Sequence, residues 1–277
     1  MKKLILPVLA VFSLGTASAQ FNLGVSVGYG LGSPGHVLGT NTTSTSSSYS
    51  EKNIYGTLGS GLQANLTPGY MFGEHFGVEL GLNGFFGSKT TIGEATFPGG
   101  SYKHTQSSSQ FRVSPALVVK SGGEKLSVYA RGGLVLPLLG SVKSEINDNG
   151  ASTPGVNTMA ELKTSGKVSL GYTGAVGLNV HFGQKMAFFA ELGANSLRVK
   201  SKQTDLTKYT VNGTDQLGNV STYGKQTKYV DELTNSSNNA SVNPSGTNTA
   251  NAKEDLRQVA NFSNFFIQVG IKFSFGK

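Results

Sequence analysis

Four charged residues, Glu79, Arg112, Arg131 and Glu191, stand in segments that otherwise hold apolar, small and uncharged polar residues. Carboxylates and guanidinium groups pair when they leave water, because an unpaired buried charge is very costly. Such charges either fill and rigidify a protein interior or line a gate or an ion path. The choice between these roles depends on the elements that hold the four side chains.

Those elements are eight segments in which apolar residues alternate with small or polar residues. The first segment begins at Phe21 and the last ends at Phe275. Successive side chains of a strand point to opposite faces, so each segment has one apolar face and one small or polar face. A barrel in a membrane needs that arrangement, since lipid contacts its outside. The pattern predicts an all-β fold, an eight-stranded antiparallel up-and-down transmembrane β-barrel.

The connections between the segments alternate between short and long. Compact turns at about 73–75, 121–124 and 183–185 follow the second, fourth and sixth segments, and long polar stretches follow the others. This asymmetry predicts short periplasmic turns and long extracellular loops. We expect the loop stretches 42–48 and 235–252 to be mobile, because they hold few apolar residues. Pro68 predicts a bulge in the second strand, since proline cannot donate a ladder bond.

The chain divides into an export signal and one domain. Lys2 and Lys3, an apolar stretch at 4–14 and the small residues Ala-Ser-Ala at 17–19 predict a signal peptide over 1–19. Residues 20–277 form the predicted barrel domain. The absence of cysteine excludes disulfides and thiolate metal sites. No pattern in the sequence predicts a metal site or a cofactor.

The four charges can now be placed inside the barrel. Glu79, Arg112 and Arg131 lie on the inward faces of the third, fourth and fifth predicted strands, and we expect them to contact one another. Glu191, on the seventh strand, reaches across the lumen. The candidates for the remaining hydrogen bonds are Tyr129, Asn83, Gln110, Asn195 and Lys272. An eight-stranded barrel is just wide enough for side chains to fill, which favours a structural network over a gate.

The loops carry the remaining candidates. Lys200, Lys202 and Lys208 are expected to contact the phosphates of lipopolysaccharide. The chain has a formal net charge of +8 but no run of five or more basic residues, so no nucleic acid is expected as a partner. His36 and His104, with loop hydroxyl or carboxyl groups, leave open a lipid-modifying enzyme at the outer rim.

Four short patterns carry a family resemblance. They are the signal ending Ala-Ser-Ala at 17–19, Gly-Tyr-Met-Phe at 69–72, Tyr-Ala-Arg-Gly-Gly at 129–133, and the alternating Ile271, Phe273 and Phe275. With them the chain resembles the small eight-stranded outer-membrane barrels of the OmpA-barrel and OmpX type, which are porin-family-like. The resemblance implies a Gram-negative outer membrane, contact with its lipid and lipopolysaccharide, and a final strand read by the barrel-assembly machinery. The chain departs from the family in adding Gly-Lys after Phe275.

The expected function is that of a non-enzymatic outer-membrane protein. It would support envelope integrity and present its loops to an unidentified surface ligand, as a monomer. A narrow porin that passes ions or small solutes is the alternative, and the rim enzyme is the third possibility.

Overall fold

Eight long antiparallel strands close into a barrel in the computed structural model, which describes residues 20–275. The predicted signal peptide and the terminal Gly-Lys lie outside the described residues. The last barrel strand pairs with the first from Phe275 to Asn264, so the sheet closes on itself. The barrel strands are β1 (Gln20–Gly32), β2 (Gly61–Met71), β3 (Phe76–Gly87), β4 (Gly100–Lys120), β5 (Leu126–Asn149), β6 (Gly171–Phe182), β7 (Met186–Ser196) and β8 (Asn264–Phe275).

The alternation of residue types decides which face of each strand points outward. On β1, Val25 and Val27 are exposed on the outer surface, whereas Asn22 and Ser26 are buried inside. Apolar side chains stand outward on the other barrel strands too, which is the reverse of a water-soluble protein. The predicted eight-stranded antiparallel barrel is therefore confirmed, with its apolar faces outside.

The predicted bulge at Pro68 is wrong. Pro68 pairs with Leu23 of β1 in an unbroken register. Toward β3, pairing stops at Leu66 and resumes at Gly69 without a shift. The missing N–H of proline removes ladder bonds on one side, and this does not require an extra residue.

The two ends of the barrel differ sharply. At one end, called here the turn end, short connections join β2 to β3, β4 to β5 and β6 to β7. At the other, the loop end, β4 and β5 run on past the barrel and pair with each other as far as Tyr102 and Asp148. The segments around them form further strands, and together they make up the upper sheet.

Most of the stretches predicted as loops are therefore strands. The upper sheet adds Val37–Ser44, Tyr49–Tyr55, Thr90–Phe97, Asn157–Gly166, Arg198–Val211, Thr214–Asp215, Gln226–Val230, Lys253–Leu256 and Val259–Asn261. A 3₁₀ turn (Leu217–Asn219) and α1 (Thr222–Lys225) interrupt it. Even the stretch 235–252 is held in place, as Asn238 Nδ2 donates to the carbonyl groups of Asn248 and Ala252.

A layer of buried apolar side chains separates the barrel from the upper sheet. We call it the apolar layer; it consists of Leu58, Phe85, Val135, Val142, Leu197, Val199 and Phe262. Its members come from the loop ends of the barrel strands and from the segments that join them. Among residues 20–275, no helix has the length and apolar character needed to cross a membrane.

Candidate functional site

The strongest interaction inside the barrel joins Arg131 of β5 to Glu191 of β7. Arg131 Nη2 lies 2.6 Å from Glu191 Oε1, and Arg131 Nε lies 2.8 Å from Oε2. Such a two-bond contact fits the planar guanidinium to the carboxylate. Tyr129 and Gln268 donate two further hydrogen bonds to the same carboxylate, at 2.9 and 2.8 Å. Glu191 is only 3% exposed, and these four hydrogen bonds satisfy both of its carboxylate oxygens within the protein.

A neighbouring glycine makes room for this cluster. Gly177 of β6 lies between the strands that carry Tyr129 and Glu191. A β-carbon at this position would lie 2.5 Å from Tyr129 Cζ, which is too close for any side chain. The small inward residues of the alternating segments therefore serve to admit large residues from adjacent strands.

A second ion pair lies closer to the turn end. Lys272 Nζ of β8 lies 2.8 Å from Glu79 Oε1 of β3. The same ammonium lies 5.2 Å from the ring centre of Tyr129 and 5.9 Å from that of Phe189, within the range of cation–π attraction. Lys272 therefore connects the two ion pairs through Tyr129.

The expected contact of Glu79 with Arg112 and Arg131 is not formed. On β4, Glu79 pairs with Ala116, and Arg112 pairs with Asn83. Four residues of strand separate the two levels, or roughly 13 Å. Arg112 instead lies over the ring of Phe85, at 4.0 Å, and donates from Nε to Gln110 Oε1 at 2.8 Å.

The amide side chains form hydrogen bonds inside the barrel, as predicted for Asn83 and Gln110. Asn65 donates to Gln268 at 3.0 Å, and Asn83 donates to Gln63 at 3.3 Å. These bonds connect β8 to β2 and β2 to β3, so they span the closure of the barrel. The inward positions of these residues followed from the alternation, but their partners depend on how the barrel closes.

The inward side chains leave little free space in the barrel. Among residues 20–275, one cavity of about 30 Å³ lies near the turn end of the barrel and another of about 30 Å³ lies near its centre. Each has room for only one or two water molecules. The apolar layer covers the loop end of this interior.

A larger cavity lies on the other side of the apolar layer, beneath the upper sheet. Its volume is about 320 Å³. Leu58, Val142, Val199 and Phe262 of the apolar layer line it on one side. The charged side chains that line it are Lys167 and Lys200, without any carboxylate among the described lining residues.

The wall of the molecule is incomplete beside this cavity. β5 pairs with β6 as far as Val135 and pairs with Asn157–Gly166 again from Ser141. The five residues between, 136–140, have no strand partner on that side. All of them except Leu138, which lies at a register shift, remain paired with β4. Leu139 is 71% exposed there. Both edges of this gap line the cavity, through residues 137–140 on one side and 166–167 on the other.

The three lysines predicted to bind lipopolysaccharide lie on Arg198–Val211 and are exposed. Lys200 and Lys202 are exposed on either side of the buried Ser201, at a register shift of the strand. Lys208 follows a second shift and pairs with Glu161. The site is thus a row of two lysines near the barrel and a third farther out.

A surface ion pair lies beside this row. Arg257 Nε donates to Asp231 Oδ1 at 2.6 Å, and Arg257 Nη1 donates to the carbonyl of Ser201 at 2.6 Å. The bond from Arg257 lowers the pKa of the Asp231 carboxyl, and the nearby charges of Lys167 and Lys200 add to the effect. Asp231 is therefore anionic at neutral pH.

A closed barrel with an apolar outer surface and a filled interior defines a small membrane-spanning barrel protein. A family model for the outer membrane protein beta-barrel domain matches residues 4–221. The chain belongs to this family, and it is an outer-membrane protein. Its turn end accordingly faces the periplasm and its upper sheet the exterior.

Comparison with solved structures gives a further likeness. The crystal structure of the outer membrane protein OprG from Pseudomonas aeruginosa is 12% identical, with a TM-score of 0.47. The match covers 94% of this chain and 97% of that one. At this degree of similarity it does not bear on function. No curated protein matches the chain.

Proposed function

We propose that this protein is a non-enzymatic, non-conducting outer-membrane barrel that supports envelope integrity and presents its upper sheet for interaction at the cell surface. The observation that carries the proposal is the filled lumen. The Arg131–Glu191 and Glu79–Lys272 pairs and the apolar layer occupy successive levels of the interior. The two cavities that lie between them in the described chain have volumes of about 30 Å³ each.

Conductance of the refolded protein in planar bilayers tests this proposal against the narrow porin. We expect no steady current from the unaltered protein. Arg131→Ala should lower the unfolding midpoint without producing a current, because the remaining side chains and the apolar layer still fill the lumen. Lys103→Ala, on the exposed face of the upper sheet, is the matched control. Steady ohmic current through the unaltered protein would support the porin and contradict the proposal.

One serine–histidine pair of the described chain lies at the turn end, away from the outer rim where His36 and His104 lie. Ser127 Oγ lies 3.2 Å from His181 Nε2, the distance of a nucleophile and its base. Ser127 is only 2% exposed, however, and its hydroxyl accepts a hydrogen bond from Asn179. A substrate has no access to it. Analysis of lipid A from cells with and without the gene tests the rim enzyme, and a changed acylation or phosphorylation pattern would contradict us.

A set of exposed lysines supports interaction at the upper sheet. The exposed lysines Lys200, Lys202 and Lys208 offer cations to the phosphates of lipopolysaccharide. Substitution of all three by glutamine should weaken binding to lipopolysaccharide micelles, with Lys103→Gln as control. Equal binding by both variants would remove these lysines from the proposal.

A specific observation favours a second candidate function for the upper sheet, the binding of a small amphipathic ligand. The 320 Å³ cavity combines an apolar side with two lysines and is bordered by the gap at residues 136–140. A fluorescent fatty acid should bind to the refolded protein, and Ala260→Trp, which fills the cavity, should abolish binding. Ala250→Trp, on an exposed turn, is the control. Binding that survives Ala260→Trp would exclude the cavity.

A further inference from the structure

The charges in the middle of the barrel do not balance. Glu191 pairs with Arg131, and Glu79 pairs with Lys272. Lys120 lies beside Lys272 near the turn end and lines the same small cavity. Arg112 lies deeper in the barrel, and no carboxylate among the described residues contacts it. A guanidinium group does not release its proton in proteins, so Arg112 cannot become neutral. Its positive charge is therefore uncompensated.

Arg112 is the most deeply buried of these groups and is incompletely bonded. It is 1% exposed. Its Nε donates to Gln110, and its plane lies over Phe85. Its Nη2 is buried without a hydrogen-bond partner among the described residues. The ring of Phe85 attracts the cation but accepts none of the in-plane N–H groups, so the remaining N–H groups of Arg112 require an acceptor.

A small cavity adjoins this arginine at the centre of the barrel. Its volume is about 30 Å³, and Arg112 and Arg131 both line it. The other polar lining groups are amides and hydroxyls, with no carboxylate among them. Gln63, which also lines the cavity, has a buried Nε2 without a partner. The guanidinium groups of Arg112 and Arg131 and the unpaired amide donor of Gln63 therefore lie around one small space.

We propose that this central cavity binds a monoatomic anion of the halide class, chloride in the cell. A halide supplies the missing negative charge and accepts several N–H bonds at once. The cavity is about the size of one or two water molecules, which excludes phosphate, sulfate and carboxylate ligands. The anion bonds to Arg112 and Gln63, while Arg131 remains paired with Glu191.

Water is the competing occupant. A water molecule could accept from Arg112 Nη2 and donate to Asn83 Oδ1, which is also buried without a partner. Water leaves the charge of Arg112 uncompensated, however, and a buried charge needs more than hydrogen bonds. A halide scatters X-rays differently from water, and only a bound halide makes the stability of the protein depend on the halide concentration. Experiment can therefore distinguish the two occupants.

Bromide provides a direct test, because its anomalous scattering identifies it in a crystal. Crystals of the full-length protein grown in sodium bromide should show an anomalous peak in the central cavity, within hydrogen-bonding distance of Arg112. Bromide peaks confined to surface lysines, or a cavity holding water alone, would overturn the proposal. This test needs no variant.

Stability measurements supply the second test. Urea unfolding is compared in sodium bromide and in sodium gluconate at equal ionic strength. Above the dissociation constant, the unfolding equilibrium constant should fall about tenfold for each tenfold rise in bromide. Arg112→Met should lose this dependence, and Lys103→Met, an exposed control, should keep it. An unaltered protein that responds equally to both salts would contradict a halide site.

Discussion

The same two strands, β4 and β5, pass through two different surroundings, and the comparison shows which features of their sequence respond to solvent. Within the barrel, Leu117 and Val128 face outward and are exposed, while Arg112 and Tyr129 are buried inside. In the upper sheet the apolar outer face disappears, but the ladder between the two strands continues. Backbone pairing is thus common to both regions, and only the side chains differ.

Charged side chains are distributed in the opposite way to the apolar ones. In the barrel, four of the inward charges form two buried ion pairs that lie at separate levels. In the upper sheet, the half-exposed Lys143 pairs with Glu161 of the neighbouring strand and with Glu145 of its own strand. Buried pairs tolerate the loss of one partner poorly, whereas exposed pairs contribute little. The two regions should therefore respond very differently to the same kind of substitution.

The largest effect is expected from breaking the Arg131–Glu191 pair. Arg131→Ala leaves the buried Glu191 carboxylate without its cation, and this should lower the free energy of unfolding by about 3–5 kcal/mol. Urea unfolding followed by circular dichroism or by gel mobility measures this change, since the chain has no tryptophan. Removing both partners, in Arg131→Met with Glu191→Leu, should cost less than Arg131→Ala alone. A single substitution no more harmful than Lys103→Ala would refute the view that this pair is buried and dry.

The next prediction compares one substitution in lipid and in water. Val176 on β6 is 59% exposed on the barrel wall, and Val242 in the upper sheet region is 38% exposed. Val176→Arg should lower the free energy of unfolding by about 2–4 kcal/mol, because the charge would enter hydrocarbon. Val242→Arg should change it by less than about 0.5 kcal/mol. Equal costs at the two sites would mean that both valines face the same solvent.

The comparison also explains what the sequence could and could not predict. The barrel was predictable because lipid demands an unbroken apolar face, which leaves a period-two pattern even around Arg112 and Glu191. The upper sheet has no such requirement, so Thr90–Phe97 and Asn157–Gly166 are polar on both faces and were interpreted as loops. They form strands because they hydrogen-bond to the parts of β4 and β5 that run on past the barrel.

Side-chain partners inside the barrel were predictable only in part. The sequence indicates that Glu79, Arg112, Arg131 and Glu191 face inward, and the structure buries all of them. It does not give the levels at which the strands meet, which depend on how the closed barrel is staggered. Lys272, on the strand that closes the barrel, consequently took the place expected for Arg112 beside Glu79.

A smaller effect is expected for an ion pair of the upper sheet. Lys143 Nζ lies 2.9 Å from Glu161 and 3.4 Å from Glu145, with about half of its side chain exposed. Lys143→Ala should lower the free energy of unfolding by at most about 1 kcal/mol, and the difference should shrink in high salt. The measurement is the same urea titration at low and high ionic strength. A loss as large as that of Arg131→Ala would show that Lys143 is shielded from water.

The smallest effect should be a pH dependence at the surface pair of Asp231 and Arg257. Because Arg257 lowers the pKa of Asp231, the folded upper sheet favours the ionised carboxylate. The contribution to stability is then complete above the ordinary pKa of an aspartate and is lost as the pH falls through the lowered value. Asp231→Asn removes this ionisation, so the variant should lack this dependence of stability on pH.

Hydrogen exchange of Lys253–Leu256 and its neighbours measures this contribution. Comparing the two proteins at the same pH cancels the intrinsic effect of pH on the exchange rate. Protection in the unaltered protein should exceed that of Asp231→Asn near neutral pH, and the difference should vanish in acid. A difference that grows on acidification would have the wrong sign for a lowered pKa, and it would mean that Arg257 holds the upper sheet through the carbonyl of Ser201 rather than through Asp231.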